Sequence, residues 1–312
     1  MKITALAGGV GGAKMADGFY HSPMVEELSI IVNVGDDFNH FGLRICPDLD
    51  TVCYTLAGIA NPETGWGRRD DTYNVLSALK QINAPDWFIL GDKDLATHLE
   101  RTRLLNEGWT LDQVTDWLCE QWHIQCKVIP VTNSFVPTIE ETQMNGYMPF
   151  QEYFVKHRCE PVVNGFKFIG ANEAQPAAGV IEAIETSDLV VLCPSNPWVS
   201  IDPILSVSGI NTAVRSKFVV AVSPIIAGKT LKGPAAKMFM ELGIDPSPVA
   251  VADHYGNLLS AIVIDQEDRG WADRLNEIGL YTFVTNTIMR TQSDRRQLAE
   301  EIIAFCKDVS KT

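Results

Sequence analysis

The chain has 312 residues, 46% of them hydrophobic and 21% charged, with a formal net charge of −14. That length suits one large α/β domain or two smaller ones with an ample core, and the composition is that of an ordinary globular protein. The negative charge speaks against nucleic-acid or membrane partners, so a polyanionic ligand must be small and must find a locally positive or metal-filled site.

Lys2–Ala7 reads as a short apolar strand, and GGVGGAKMADGFY then opens a helix with four glycines. Gly8, Gly9, Gly11 and Gly12 let backbone approach a ligand closely. The helix aims free N–H groups at an anion, and Lys14 adds a charge one turn on. The spacing is neither the dinucleotide G-x-G-x-x-G nor the P-loop pattern, and a tight strand–helix junction is the alternative.

A second strand, IIVNV, runs into a loop holding Asp36, Asp37, Asp48 and Asp50 with His40 and Arg44, before a helix expected near Thr51. Four carboxylates within fifteen residues repel one another unless a cation sits among them, and an oxygen-rich set suits Mg²⁺ or Mn²⁺. A plainer reading has Asp36 and Asp37 shaping the turn while Asp48 or Asp50 caps the helix. Trp66, in the loop Gly65–Thr72, is either a packing residue or the wall of a ring-binding slot.

After a helix over TYNVLSALKQI, DWFIL is expected as a strand, followed by Asp92, Lys93, Asp94 and His98 where open sheets place their ligands. Asp94 capping a helix is the competing reading. LDQVTDWLCEQW is an amphipathic helix, IQCKVIPVT a strand, and residues 97–170 form an inserted elaboration or lid within a single domain, 1–312. Its Lys156, His157 and Arg158 read as a solvated face, with a phosphate clamp as the alternative.

DLVVLC returns to regular strand and is followed by PSNPWVSIDPIL, in which two prolines leave Ser195 and Asn196 free to face one ligand. The strand KFVVAV leads to a loop with Lys229, Lys232 and Lys237. VAVADHYG and AIVID are expected as β-like segments, GLYTFVTNTIM as the last strand, and SDRRQLAEEIIAFCKDV as a capped helix. The class is therefore α/β: a Rossmann-like, mostly parallel sheet of about six strands, helices on both faces, with a smaller inserted subdomain. Seven scattered cysteines without a C-x-x-C pair read as reduced thiols, and the chain lacks an apolar span or signal layout, so the expected address is cytoplasmic.

GGVGGAK, NVGDDFNHFGLRICPDLDT, FILGDKDLATH, FQEYFVKHR, PSNPWVSIDPIL, VAVSPIIAGKTLKGPAAKM and TNTIM together resemble the 2-phospho-L-lactate transferase family of coenzyme F420 biosynthesis, through nearly the entire chain. The resemblance implies a Rossmann-like dimer that moves a phospho-acid group from its guanosine diphosphate conjugate to the ribityl hydroxyl of the deazaflavin Fo, with Mg²⁺, releasing GMP. It puts the metal on Asp50 with Asp37, the diphosphate on Gly8, Gly9, Gly11, Gly12, Lys14, Ser195 and Asn196, and the deazaflavin near Asp50; a flat ring needs an apolar slot, for which Trp66 and Trp198 are the candidate walls. Asp37 and His40 are the candidate bases. Phospholactyl, phosphoenolpyruvyl and phosphoglyceryl groups differ too little for the sequence to separate them. A nucleotide-binding regulator on the same sheet edge is the competing class; an NAD-type dehydrogenase lacks its fingerprint.

Overall fold

The structure, a computed structural model, describes residues 1–143 and 146–310. Seven runs rich in aliphatic and β-branched residues form its main sheet: β1 (Lys2–Ala7), β2 (Glu27–Val32), β3 (Lys127–Pro130), β4 (Leu189–Leu192), β5 (Val219–Val222), β6 (Ala261–Asp265) and β7 (Tyr281–Thr285). Their spatial order is β7-β6-β5-β4-β1-β2-β3, and every neighbouring pair is parallel. Central strands such as β4 and β5 are buried along their full length, as a sheet covered on both faces requires. The order reverses between β1 and β4, where the loops leaving the two strands part and open a crevice.

Helix α1 (Gly9–Tyr20) follows β1 and packs against α2 (Pro47–Leu56) and the C-terminal helix Gln292–Val309, which carries the capping box Thr291/Asp294. One apolar cluster spans the sheet and its helices. Helices α3 (Asp92–Asn106) and α4 (Leu111–Gln121) lie on the crossover to β3, and Leu104, Val114 and Leu118 join them in a satellite cluster. Among the described residues no helix is long and apolar enough to cross a membrane.

The span 97–170 divides differently from the expectation. Its strand Lys127–Pro130 is the edge of the main sheet, pairing with Ser29–Val32. Only the part beyond it leaves the core, as an antiparallel sheet of Gly146–Pro149, Thr138–Thr142 and Val163–Phe168. DWFIL forms no strand: the position beside β2 is taken by β3, and Trp87 and Phe88 instead pack on Phe38 at 5.7 and 4.8 Å between ring centres. VAVADHY is helical, within Pro248–Tyr255. Ser247 caps it with proline in its first turn, and that start signal outweighs the β-branched content. Helix α2 likewise starts at Pro47 rather than Thr51, so Asp48 and Asp50 belong to its first turn.

Candidate functional site

A cleft of about 660 Å³ opens at the switch point. Its floor is the start of α1, the first turn of α2 and the loop after β4. Gly8 N–H donates to Ser195 Oγ at 3.3 Å, and that hydroxyl donates back to the Gly8 carbonyl at 2.8 Å, so the glycine and serine loops are locked together. The glycines make this contact possible. A Cβ on Gly11 would sit 2.2 Å from the Pro194 carbonyl oxygen, and one on Gly12 would sit 2.8 Å from Ser195 Oγ. Gly9 adopts φ +61°, and the N-cap residue Gly8 brings no capping side chain, so the first turn of α1 lines the cleft with Asp48 on its Gly9 N–H.

Asp48 and Asp50 stand two positions apart on a helix and so point roughly 200° apart. Asp48 turns to α1, accepting the Gly9 N–H at 2.7 Å, and shares the Asn33 amide with Asp36 at 2.9 and 3.0 Å. Burial raises Asp48 to about 7 against the pull of those bonds, and burial together with the Asp48 carboxylate raises Asp36 well above the usual range. Asp50 turns the other way, and both its oxygens meet the guanidinium of buried Arg101. Arg101 also donates to His98 Nδ1 at 3.2 Å. An arginine can only donate, so the imidazole proton stands on Nε2, 3.4 Å from Asp94 Oδ1. Tyr54 donates to the same oxygen at 2.7 Å. Burial raises Asp94, but His98 and Tyr54 outweigh it and hold the carboxyl below its ordinary value.

Asp50, Asp94 and His98 bring ligand atoms within 4.8 Å of one another and all line the cleft. With Nδ1 taken by Arg101 and Nε2 protonated, His98 offers no lone pair. Two carboxylates remain, a set that fits Mg²⁺, which takes one or two protein carboxylates and completes its shell with water and substrate phosphate.

Of the residues singled out from sequence, the cleft wall brings together Gly8, Gly9, Gly11, Asp50, Trp66, Ser195 and Asn196. Gly12 lies one layer behind. Lys14 is not on the cleft wall; it donates to the Met289 carbonyl at 2.9 Å, and burial, with the charges of Arg295 and Lys232, lowers its pKa. Asp37 is held by Arg44 at 2.9 Å and by the Cys46 thiol at 3.1 Å, stays outside the Asp50 group, and is raised to about 6 by burial. His40 packs among Phe38, Phe41, Trp87 and Phe88, where burial lowers its pKa. Trp198 is core, against Phe166, Phe239 and His254. Lys156 pairs with Glu152 at 3.0 Å. Sequence reading missed Arg101 and Tyr54, whose polar partners lie far along the chain. It also missed the apolar rim of Phe88, Ile89, Phe150 and Phe154.

Comparison with known proteins agrees with this architecture. Phosphoenolpyruvate transferases are similar throughout: that of Streptomyces coelicolor is 38% identical over 99% of both chains. Those of Thermobifida fusca and Mycolicibacterium smegmatis are 42% and 41% identical, over 86% and 87% of this chain and 87% of each relative. A crystal structure of a UPF0052 family protein from Bacillus halodurans has the same fold, with a TM-score of 0.64 at 16% identity over 96% of this chain and 99% of that one. Residues 3–301 match the family described as 2-phospho-L-lactate transferase CofD. The chain belongs to that family.

Proposed function

We propose that the protein, a phospho-acid transferase by family, moves its group from a guanosine diphosphate conjugate to the ribityl hydroxyl of the deazaflavin Fo, releasing GMP. The observation that carries this reading is one cleft whose wall holds the first turn of α1, the carboxylates Asp50 and Asp94, and an apolar rim of Phe88, Ile89, Phe150 and Phe154. The start of α1 and the β4 loop would hold the diphosphate through backbone N–H groups and the Ser195 and Asn196 side chains. Mg²⁺ on Asp50 and Asp94 would supply neutralisation of the charge that builds on the diphosphate oxygens. Arg101 fixes Asp50 from beneath, so that this carboxylate needs no reorganisation. Trp66, Phe88, Ile89 and Phe154 would sandwich the deazaflavin and direct its ribityl tail inward. Since the relatives are phosphoenolpyruvate transferases, phosphoenolpyruvyl is the group proposed.

The test is turnover. The protein with Mg²⁺ and a donor in which phosphoenolpyruvate is joined to GMP through a diphosphate linkage should release GMP only when Fo is present, and the product should be the phosphodiester of Fo and phosphoenolpyruvate. GMP release at the same rate without Fo would make it a hydrolase.

A further inference from the structure

We propose that Lys232 anchors the anionic donor: among the described residues it is the one lysine or arginine on the cleft wall, tethered at the mouth by the Thr64 carbonyl beside the first turn of α1. The inference rests on the reading above for the donor's identity. Four carboxylates, Asp36, Asp48, Asp50 and Asp94, line the same cleft. A diphosphate conjugate of a carboxylic acid brings further negative charge. Of the nearby cations, Arg101 lies buried on Asp50, and Lys14, close enough to Lys232 for the two charges to repel, is not on the cleft wall and gives one hydrogen to the Met289 carbonyl.

Lys232 is differently placed. It sits exposed on the loop after the hairpin Ile225–Ile226/Lys229–Thr230, and its ammonium spends one hydrogen on Thr64 O at 2.6 Å, keeping two for a ligand. Gly65 marks where it stands. A Cβ there would lie 2.7 Å from Val10 Cγ1 and 3.4 Å from Lys232 Nζ, so the ammonium and the first turn of α1 border one spot. Asp48 holds the Gly9 N–H from another side of the α1 start. An anion drawn to α1 therefore meets Lys232 as it enters, and the Thr64 tether parks the side chain there beforehand.

Heat stability with GDP or guanosine, and KM for the guanylylated acid, should be compared in wild type, Lys232→Met and Lys232→Arg. Lys232→Met is expected to weaken GDP binding about tenfold or more, with guanosine unaffected and Lys232→Arg recovering most of the loss. GDP carries no carboxylate. Weakened GDP binding thus assigns Lys232 to the diphosphate, whereas unchanged GDP binding with a raised KM for the conjugate assigns it to the acid. Unchanged values for both overturn the proposal, and so does an equal loss with guanosine, which a purely structural tether would give. If wild type binds GDP yet releases no GMP from the conjugate with Fo, the transferase reading fails while the GDP and guanosine comparison alone decides the role of Lys232.

Discussion

A cation tempers what burial does to a carboxyl: Asp37, beside Arg44, rises only to about 6. Asp50 has Arg101; among the described residues no cation or side chain reaches either oxygen of Glu140, 0% exposed on the strand Thr138–Thr142. Burial outweighs the pull of its own backbone N–H and raises it to about 9 from an ordinary 4.5. A carboxyl whose folded pKa is raised keeps its proton in the folded state after the unfolded chain has lost it. Its contribution is therefore full below about 4.5 and is lost progressively as the pH rises toward about 9. Glu140→Gln keeps the shape and removes the titration, so its stability relative to wild type should improve from pH 5 to pH 8.5, by at most about 3 kcal/mol at pH 7. Urea unfolding at three pH values checks this, and parallel stability profiles for the two proteins would count against a neutral Glu140. Such residues explain what sequence could and could not convey. Asp50 and Ser195 stood out because chemistry-bearing side chains followed strands directly, whereas Arg101 sits mid-helix and meets its partner 51 positions away.

At the scale of elements, the inner strands were legible as unbroken aliphatic runs that burial on both faces explains, and the half-buried edge strand β7 as a β-branched and aromatic run. DWFIL and VAVADHY carried the same local signal, and what decided them was outside the run: β3 already occupies the sheet edge, and Ser247-Pro248 starts a helix. The glycine loop was legible as a strand–helix turn with close approach, but sequence left open what approaches. The structure answers for Gly11, whose neighbour is the backbone of the β4 loop rather than open cleft. Gly11→Ala forces a methyl to within 2.2 Å of a main-chain oxygen that cannot rotate away. The expected cost is about 1–3 kcal/mol of stability, since the α1 start and the Pro194 loop must part. Denaturant unfolding without any ligand measures it. A variant as stable as wild type but unable to bind GDP would return Gly11 to a purely ligand-facing role.

Across the whole molecule, seven parallel strands bring the loops after β1, β2 and β4 to one edge, and that is why residues near positions 10, 50 and 195 share a cleft. A chain with net charge −14 repels a diphosphate at long range, so under the proposed function binding would be won locally by the α1 start, by Lys232 and by a divalent cation. This division makes a prediction that requires no turnover. A ligand that binds only the folded state stabilises it by mass action, by about 2.7 kcal/mol when present at a hundred times its dissociation constant. GDP with Mg²⁺ should therefore raise the unfolding temperature by several degrees, and more than ADP or NAD at equal concentration, if the donor is a guanosine conjugate. Chelating the metal should remove much of the GDP effect while leaving the ligand-free unfolding temperature unchanged, because Asp50 is satisfied by Arg101 without it. Equal protection by GDP and ADP would count against guanosine. Protection by GDP that survives chelation would mean the Asp50–Asp94 pair holds no cation against the diphosphate, leaving the α1 start and Lys232 to hold the nucleotide alone.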